Sequence, residues 1–124
     1  TGLELSPNNN HFLFKADATV DDQFDVYLSD YNGANVTLIP GVELGGEFDS
    51  TGNLYFYKYT GTLGRKGLRL LNVLSREVTT LVDADGLSND CKVDSFTIDE
   101  GNSHVLIRGD LDIDEKFELY MIEY

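Results

Sequence analysis

The chain has 124 residues, of which 41% are hydrophobic and 11% aromatic, enough apolar material for a hydrophobic core. Its 22 acidic and 9 basic side chains give a net charge of −13, which disfavours binding to nucleic acid and to anionic membrane surfaces. A single cysteine excludes an internal disulfide, and no apolar run is long enough for a membrane-spanning helix.

The sequence predicts eleven short β-strands, because β-branched and aromatic residues are concentrated between turns rich in Asn, Gly and Ser. The first four predicted strands cover residues 3–5, 11–15, 24–29 and 36–39. The next four cover residues 47–49, 54–59, 67–72 and 77–82, and the last three cover 93–98, 104–109 and 116–122. The 3.6-residue periodicity of an amphipathic helix is not visible anywhere along the chain.

These strands belong to repeated units. Residues 24–39 match residues 66–81 at an offset of 42, and residues 3–14 match residues 96–107 at an offset of 93. The units cover residues 1–44, 45–90 and 91–124, and the third has three predicted strands instead of four. At these offsets we expect three residues to lie in equivalent environments, namely Phe14, Phe56 and Ile107. A second set should match on the other face of the sheets, namely Phe12, Leu54 and Val105.

Tandem four-stranded antiparallel units are the blades of a β-propeller. The sequence therefore predicts an all-β fold in which residues 1–124 form a single propeller domain or a segment of one, with the last blade incomplete. Three blades are fewer than the roughly four to eight that close a ring. We therefore expect the chain to be part of a longer polypeptide, or to pair with a second copy that completes the ring.

The turn Ser6-Pro7-Asn8-Asn9-Asn10 and the strand Val26-Tyr27-Leu28-Ser29-Asp30, followed by Gly33, carry a recognisable pattern. It resembles the TolB-type propeller repeat, in which a Ser-Pro-Asp-Gly-Lys-like turn and a hydrophobic strand precede a Leu-Tyr-x-x-Asp strand and a glycine turn. The resemblance covers nearly the whole chain. Periplasmic TolB, the propellers of prolyl-oligopeptidase-like peptidases and many surface proteins share this repeat. It implies a protein of the periplasm, the cell envelope or the extracellular space.

The sequence contains no motif typical of catalysis. His11 and His104 occupy equivalent repeat positions, as inherited structural residues do, and no Gly-x-Ser-x-Gly, phosphate-binding or His-Glu-x-x-His motif is present. We therefore predict a non-catalytic module for protein binding or scaffolding. The alternative is the accessory propeller of a larger peptidase or hydrolase, whose catalytic domain would lie outside this chain.

Acidic residues are concentrated in the loops that a propeller places on one rim. The predicted rim contains Asp17, Asp21, Asp22, Asp83, Asp85, Asp90, Asp110, Asp112, Asp114 and Glu115. Arg65 and Lys66 interrupt this acidic surface in the second repeat. Such a surface favours a basic or mixed-charge protein partner, because opposite charges steer the encounter of two proteins. The alternative interpretation is that the charge only keeps the protein soluble.

The alternating carboxylates of Asp110, Asp112 and Asp114 also suggest a calcium site, because Ca²⁺ prefers six to eight oxygen ligands. The alternative is a solvated acidic loop without a bound ion. The sequence indicates no other cofactor.

Overall fold

The computed structural model describes residues 2–21, 23–88, 90–113 and 115–124. The first sheet contains β1 (Leu3–Leu5), β2 (His11–Val20), β3 (Gln23–Asp30) and β4 (Thr37–Leu38). The second sheet contains β5 (Glu47–Phe48), β6 (Leu54–Thr60), β7 (Lys66–Asn72) and β8 (Val78–Val82). The third sheet contains β9 (Val93–Asp99), β10 (His104–Gly109) and β11 (Glu118–Glu123).

In each sheet the strands are adjacent in the order in which they follow one another along the chain. This arrangement confirms the predicted all-β fold with antiparallel sheets and an incomplete third unit. The helical segments of the described residues are two three-residue 3₁₀ turns, Ala84–Gly86 and Glu100–Asn102. Among the same residues, no helix has the length and apolar character needed to cross a membrane.

The chain divides into two compact units. The first comprises Thr1–Tyr57 and Leu71–Val78, and its fully buried side chains include Leu13, Leu28 and Phe56. The second comprises Lys58–Leu70 and Thr79–Tyr124, and its fully buried side chains include Leu68, Val105 and Ile107. Both units therefore have an apolar interior built from strand residues.

The turns between the first two strands show how the repeats are related. The Ser6 N–H donates to the His11 carbonyl oxygen at 2.9 Å, and the Asp49 N–H donates to the Leu54 carbonyl oxygen at 2.9 Å. These equivalent bonds relate the β1–β2 and β5–β6 hairpins at an offset of 43 residues. The offset of 42 predicted from the later strands therefore does not apply to this hairpin.

The one-residue difference changes which side chains correspond. Phe56 is equivalent to Leu13, and both are fully buried. The predicted equivalence of Phe56 with Phe14 is therefore wrong by one position, and so is that of Leu54 with Phe12. A shift of one residue moves every side chain of a strand to the opposite face. Phe56 and Leu54 therefore point to the faces opposite to those predicted.

The third sheet follows the predicted offset of 93. Leu3 pairs with Phe14 in the first sheet, and Phe96 pairs with Ile107 in the third, so Phe14 and Ile107 occupy equivalent register positions. Their environments differ, because Ile107 is fully buried whereas Phe14 is half-buried. The prediction that Phe12 lies on the other face from Phe14 is wrong, because strand residues two positions apart point to the same face.

Different side chains hold the equivalent turns of the first two repeats. The Ser6 Oγ accepts from the His11 N–H at 3.1 Å and donates to Asn8 Oδ1 at 2.6 Å. In the second repeat, Asp49 Oδ1 accepts from the Leu54 N–H at 3.2 Å. Short polar side chains bond to nearby backbone groups in turns of this kind. This explains why the second turn forms without the Ser-Pro sequence of the first.

A substitution at Gly67 tests how closely β7 packs against its neighbours in the second sheet. A Cβ added there would lie 2.3 Å from the Val82 carbonyl oxygen and 2.7 Å from a ring carbon of Tyr59. We expect Gly67→Ala to lower the free energy of unfolding by about 2 kcal/mol, because overpacking forces the backbone to move. Urea denaturation followed by circular dichroism measures this change.

The matched control is Gly101→Ala, because the nearest atom to an added Cβ at Gly101 is Asp99 Oδ1 at 3.8 Å. This variant should retain the stability of the original protein. Equal stability of the two variants would contradict the close approach of β7 to Val82.

Candidate functional site

The predicted rim residues lie in both compact units. In the first unit, Asp17 lies in β2 and Asp21 in the turn between β2 and β3, and both are exposed. In the second unit, the exposed acidic residues of the predicted rim are Asp83, Asp85, Asp90, Asp112 and Glu115. Asp22 and Asp114 lie outside the described residues.

Asp110 differs from its neighbours because its side chain is fully buried. Its Oδ1 accepts from the Lys92 N–H at 2.9 Å, and its Oδ2 accepts from the Glu115 N–H at 2.8 Å. The carboxylate therefore joins the start of the β10–β11 loop to the end of that loop and to the segment before β9. Asp110 was predicted to belong to an exposed acidic surface, but these two backbone donors hold its side chain in the interior.

The environment of Asp110 favours its charged form. Burial is the largest single influence and raises the pKa of the Asp110 carboxyl, but the N–H groups of Glu115, Lys92 and Asp110 together with the charge of Lys92 lower it by more in total, so the pKa lies below its usual value of 3.8. An ionised carboxylate is the better acceptor for both backbone donors. The loop is thus held by a charged group that is itself shielded from solvent.

Asp83 and Asp85 organise a second loop. Asp83 Oδ1 accepts from the Asp85 N–H at 3.1 Å, as a cap of the Ala84–Gly86 turn. Asp85 Oδ1 accepts from the Thr62 N–H at 2.8 Å and from the Thr62 Oγ at 3.0 Å. These bonds tie the β6–β7 loop to the segment after β8. Both carboxylates remain exposed, so a partner protein can contact them.

The calcium hypothesis concerns the same region as Asp110. Among the residues that the structure describes, no group of three or more His, Cys, Asp or Glu side chains is arranged to hold a metal ion. Both Asp110 oxygens already accept backbone hydrogen bonds, whereas Asp112 is exposed. Since Asp114 is not described, calcium binding by this loop stays a prediction.

The two basic residues predicted on the rim line a cleft of about 170 Å³. Arg65 Nη1 donates to the Leu87 carbonyl oxygen at 2.8 Å, and Lys66 Nζ donates to Thr60 Oγ1 at 2.5 Å. Lys92 lines the same cleft and was missed by the sequence analysis. The signal was available, because Lys92 lies in the connection between the second and third repeats, where only the carboxylates were considered.

His11 belongs to a polar cluster in the first unit. Its Nε2 lies 3.4 Å from Asp30 Oδ1, and the same oxygen lies 3.7 Å from Arg76 Nη2. The pairing is repeated in the third sheet, where His104 is opposite Glu123 in the strand register. A histidine opposite a carboxylate is therefore a shared feature of two repeats, which favours a structural role for both histidines.

No family model matches the sequence, and no curated protein matches it. Among solved structures, the chain is similar to a putative TolB from Agrobacterium tumefaciens, with a TM-score of 0.59 and 11% identity over 97% of this chain and 41% of that chain. It is also similar to TolB from Acinetobacter baumannii, with a TM-score of 0.55 and 11% identity over 97% of this chain and 29% of that chain. The chain thus has a TolB-like fold and spans less than half the length of these proteins.

Asp110→Asn tests the role of the buried carboxylate. We expect a loss of about 2 kcal/mol in the free energy of unfolding at neutral pH, because hydrogen bonds to charged groups contribute about 1.5–3 kcal/mol. The folded-state pKa is lowered, so this contribution is present above the unfolded pKa and is lost as the pH falls through the folded pKa. Urea denaturation should show the difference from the original protein narrowing below about pH 4.

The control for this experiment is Asp112→Asn, which alters an exposed carboxylate of the same loop. It should leave the stability unchanged within about 0.5 kcal/mol across the pH range. A destabilisation by Asp110→Asn that stays constant down to the lowest pH would argue against stabilisation by the ionised form.

Proposed function

We propose that the chain is a non-catalytic propeller module that binds a basic or mixed-charge protein outside the cytoplasm. The observation that carries this proposal is the β10–β11 loop, in which Asp112 and Glu115 are exposed while the buried Asp110 fixes the backbone between them and the sheet. The exposed Glu115 is thus held at a defined position relative to the sheet.

A loop that is ordered before binding loses less conformational freedom when a partner docks. Asp110 holds Glu115 near the start of the β10–β11 loop through the Glu115 N–H, and the bonds of Asp85 to Thr62 order the β6–β7 loop. The excess of acidic over basic residues, which gives a net charge of −13, accelerates the encounter with a positively charged surface. Ordered loops and long-range attraction together favour protein recognition.

The fold supports a module of this kind, since the chain is similar to part of two TolB structures. Propeller sheets expose connecting loops at their ends, where they are available for contact. The proposed location in the periplasm, the cell envelope or the extracellular space rests on the same similarity and on the TolB-type repeat.

Charge reversal tests the acidic loop directly. A binding protein is first isolated from a cell-envelope extract on the immobilised chain, and its association is then followed by surface plasmon resonance. We expect Asp112→Lys combined with Glu115→Lys to slow association about tenfold and to change dissociation little, because exposed charges act mainly on the encounter rate. Raising the ionic strength to about 0.3 M should also slow association by the original protein.

The matched control is Glu47→Lys combined with Glu77→Lys, which reverses two exposed acids outside the loop and changes the net charge by the same amount. This control should slow association much less. If both double variants slow association equally, or if salt has no effect, the loop is not the binding surface.

A further inference from the structure

The second compact unit contains a basic cleft in an otherwise acidic chain. The cleft has a volume of about 170 Å³ and lies between residues 63–66, which form the end of the β6–β7 loop and the first residue of β7, and residues 90–92 before β9. Three of the nine basic residues of the chain line it, namely Arg65, Lys66 and Lys92, together with one carboxylate, Asp90. Positive charge is therefore concentrated at this point.

The two lysines of this basic cleft form no ion pair within residues 2–21, 23–88, 90–113 and 115–124. Lys66 Nζ donates to the hydroxyl of Thr60, which carries no charge. Neither Lys66 nor Lys92 forms a salt bridge with any residue that the structure describes. Acidic residues outnumber basic ones 22 to 9 in this chain, so intramolecular partners are plentiful. Two ammonium groups without an ion pair among the described residues give the cleft a local attraction for anions, and the carboxylate of Asp110, which interacts electrostatically with Lys92, offsets part of that attraction.

Hydrogen bonds hold both walls of the basic cleft in place. On one side, the Gly61 N–H donates to the Arg65 carbonyl oxygen at 2.9 Å, and Arg65 Nη1 donates to the Leu87 carbonyl oxygen at 2.8 Å. On the other side, the Lys92 N–H donates to the buried carboxylate of Asp110 at 2.9 Å. The basic side chains therefore project from backbone that is already ordered, which reduces the entropy lost on binding.

The size and surroundings of the basic cleft indicate which anion it accepts. A volume of about 170 Å³ accommodates a carboxylate with a short apolar stem, and Leu63 on the rim of the cleft is 63% exposed and offers an apolar contact for that stem. The overall charge of −13 opposes a polyanion such as nucleic acid, whereas a singly charged carboxylate is repelled far less. Arginine and lysine side chains both form charge-assisted hydrogen bonds to carboxylates.

We propose that the basic cleft binds a carboxylate presented by a polypeptide, either an acidic side chain or a free C-terminus. This proposal rests on the proposed function in that the carboxylate belongs to the protein partner. The acidic loops attract the basic surface of the partner, and the cleft takes one of its acidic groups. A mixed-charge partner is thus distinguished from a uniformly basic one, since only the former places an anion against Lys66 and Lys92.

Short peptides test the cleft without the partner. A blocked tripeptide with a central glutamate is titrated into the isotopically labelled chain, and amide chemical shifts are followed by NMR. We expect shifts at residues 63–66 and 90–92 with a dissociation constant in the millimolar range, on the order of that of a single charge-assisted contact. The glutamine analogue should produce no such shifts.

Further probes separate the two sources of carboxylate. A peptide with a free C-terminus and neutral side chains is compared with its C-terminal amide, so binding of the acid form alone identifies the terminus as the ligand. Inorganic phosphate is titrated at the same concentrations. Phosphate that binds as tightly as either carboxylate would contradict selectivity for a carboxylate.

Lys66→Gln combined with Lys92→Gln should weaken peptide binding about tenfold, because it removes both ammonium groups that line the cleft. Lys15→Gln combined with Lys116→Gln removes the same charge outside the cleft and should leave binding unchanged. The NMR spectra of the variants also report whether each one is folded.

Glutamate and glutamine peptides that give equal shifts would overturn the proposal, as would a Lys66/Lys92 variant that retains full affinity. Either result would leave the proposed function intact if the isolated partner still binds through the acidic loop. If partner binding is lost but peptide binding is retained, the result would instead contradict the proposed function, and the cleft would still be a carboxylate-binding site.

Discussion

The two-residue alternation of side chains along each strand is the constraint on which the rest of this structure depends. It assigns Leu13 and Leu28, which are paired across β2 and β3, to one buried face of the first sheet. In the second sheet, the first hairpin lies 43 residues after that of the first sheet, one more than the predicted offset of 42. This additional residue makes Phe56 the counterpart of Leu13, so the same alternation again places a buried side chain at this position. The later strands of the two repeats are related by the shorter offset of 42 residues. The connection between the second and third strands is therefore one residue shorter in the second repeat than in the first.

This connection is also where the repeats acquire different chemistry. In the second repeat it is the β6–β7 loop, which carries Arg65 and is held by the carboxylate of Asp85 through Thr62. In the third repeat the equivalent loop is acidic and is held by Asp110. A similar sheet framework thus supports one basic and one acidic loop within the same compact unit, and in both cases an aspartate provides the bonds that order the loop.

The sequence was sufficient to predict the strands and their grouping, because alternation and turn residues are local signals. Most observed strands begin and end within a few residues of their predicted limits. Strand β2 is longer than predicted, because it extends to residue 20 instead of 15. The role of Asp110 was not predictable in this way. Its carboxylate bonds to the N–H of Lys92, which is 18 positions away, and a pattern of alternating acids contains no information about such a contact. The contact of Lys92 with the cleft that Arg65 also lines likewise arises only when two loops fold together, although the position of Lys92 in the connection between the repeats could be read from the sequence.

The buried Cys91 has a consequence for measuring the dynamics of the second unit. It is the single cysteine of the sequence, it is 1% exposed, and the backbone of its segment is held by the hydrogen bond from the Cys91 N–H to the Ser88 carbonyl oxygen at 3.0 Å. A thiol reagent can reach it only when this segment opens. The labelling rate therefore reports the free energy of a local opening, which is separate from that of global unfolding. Labelling of Cys91 thus measures how often the wall of the basic cleft opens, and no engineered label is required.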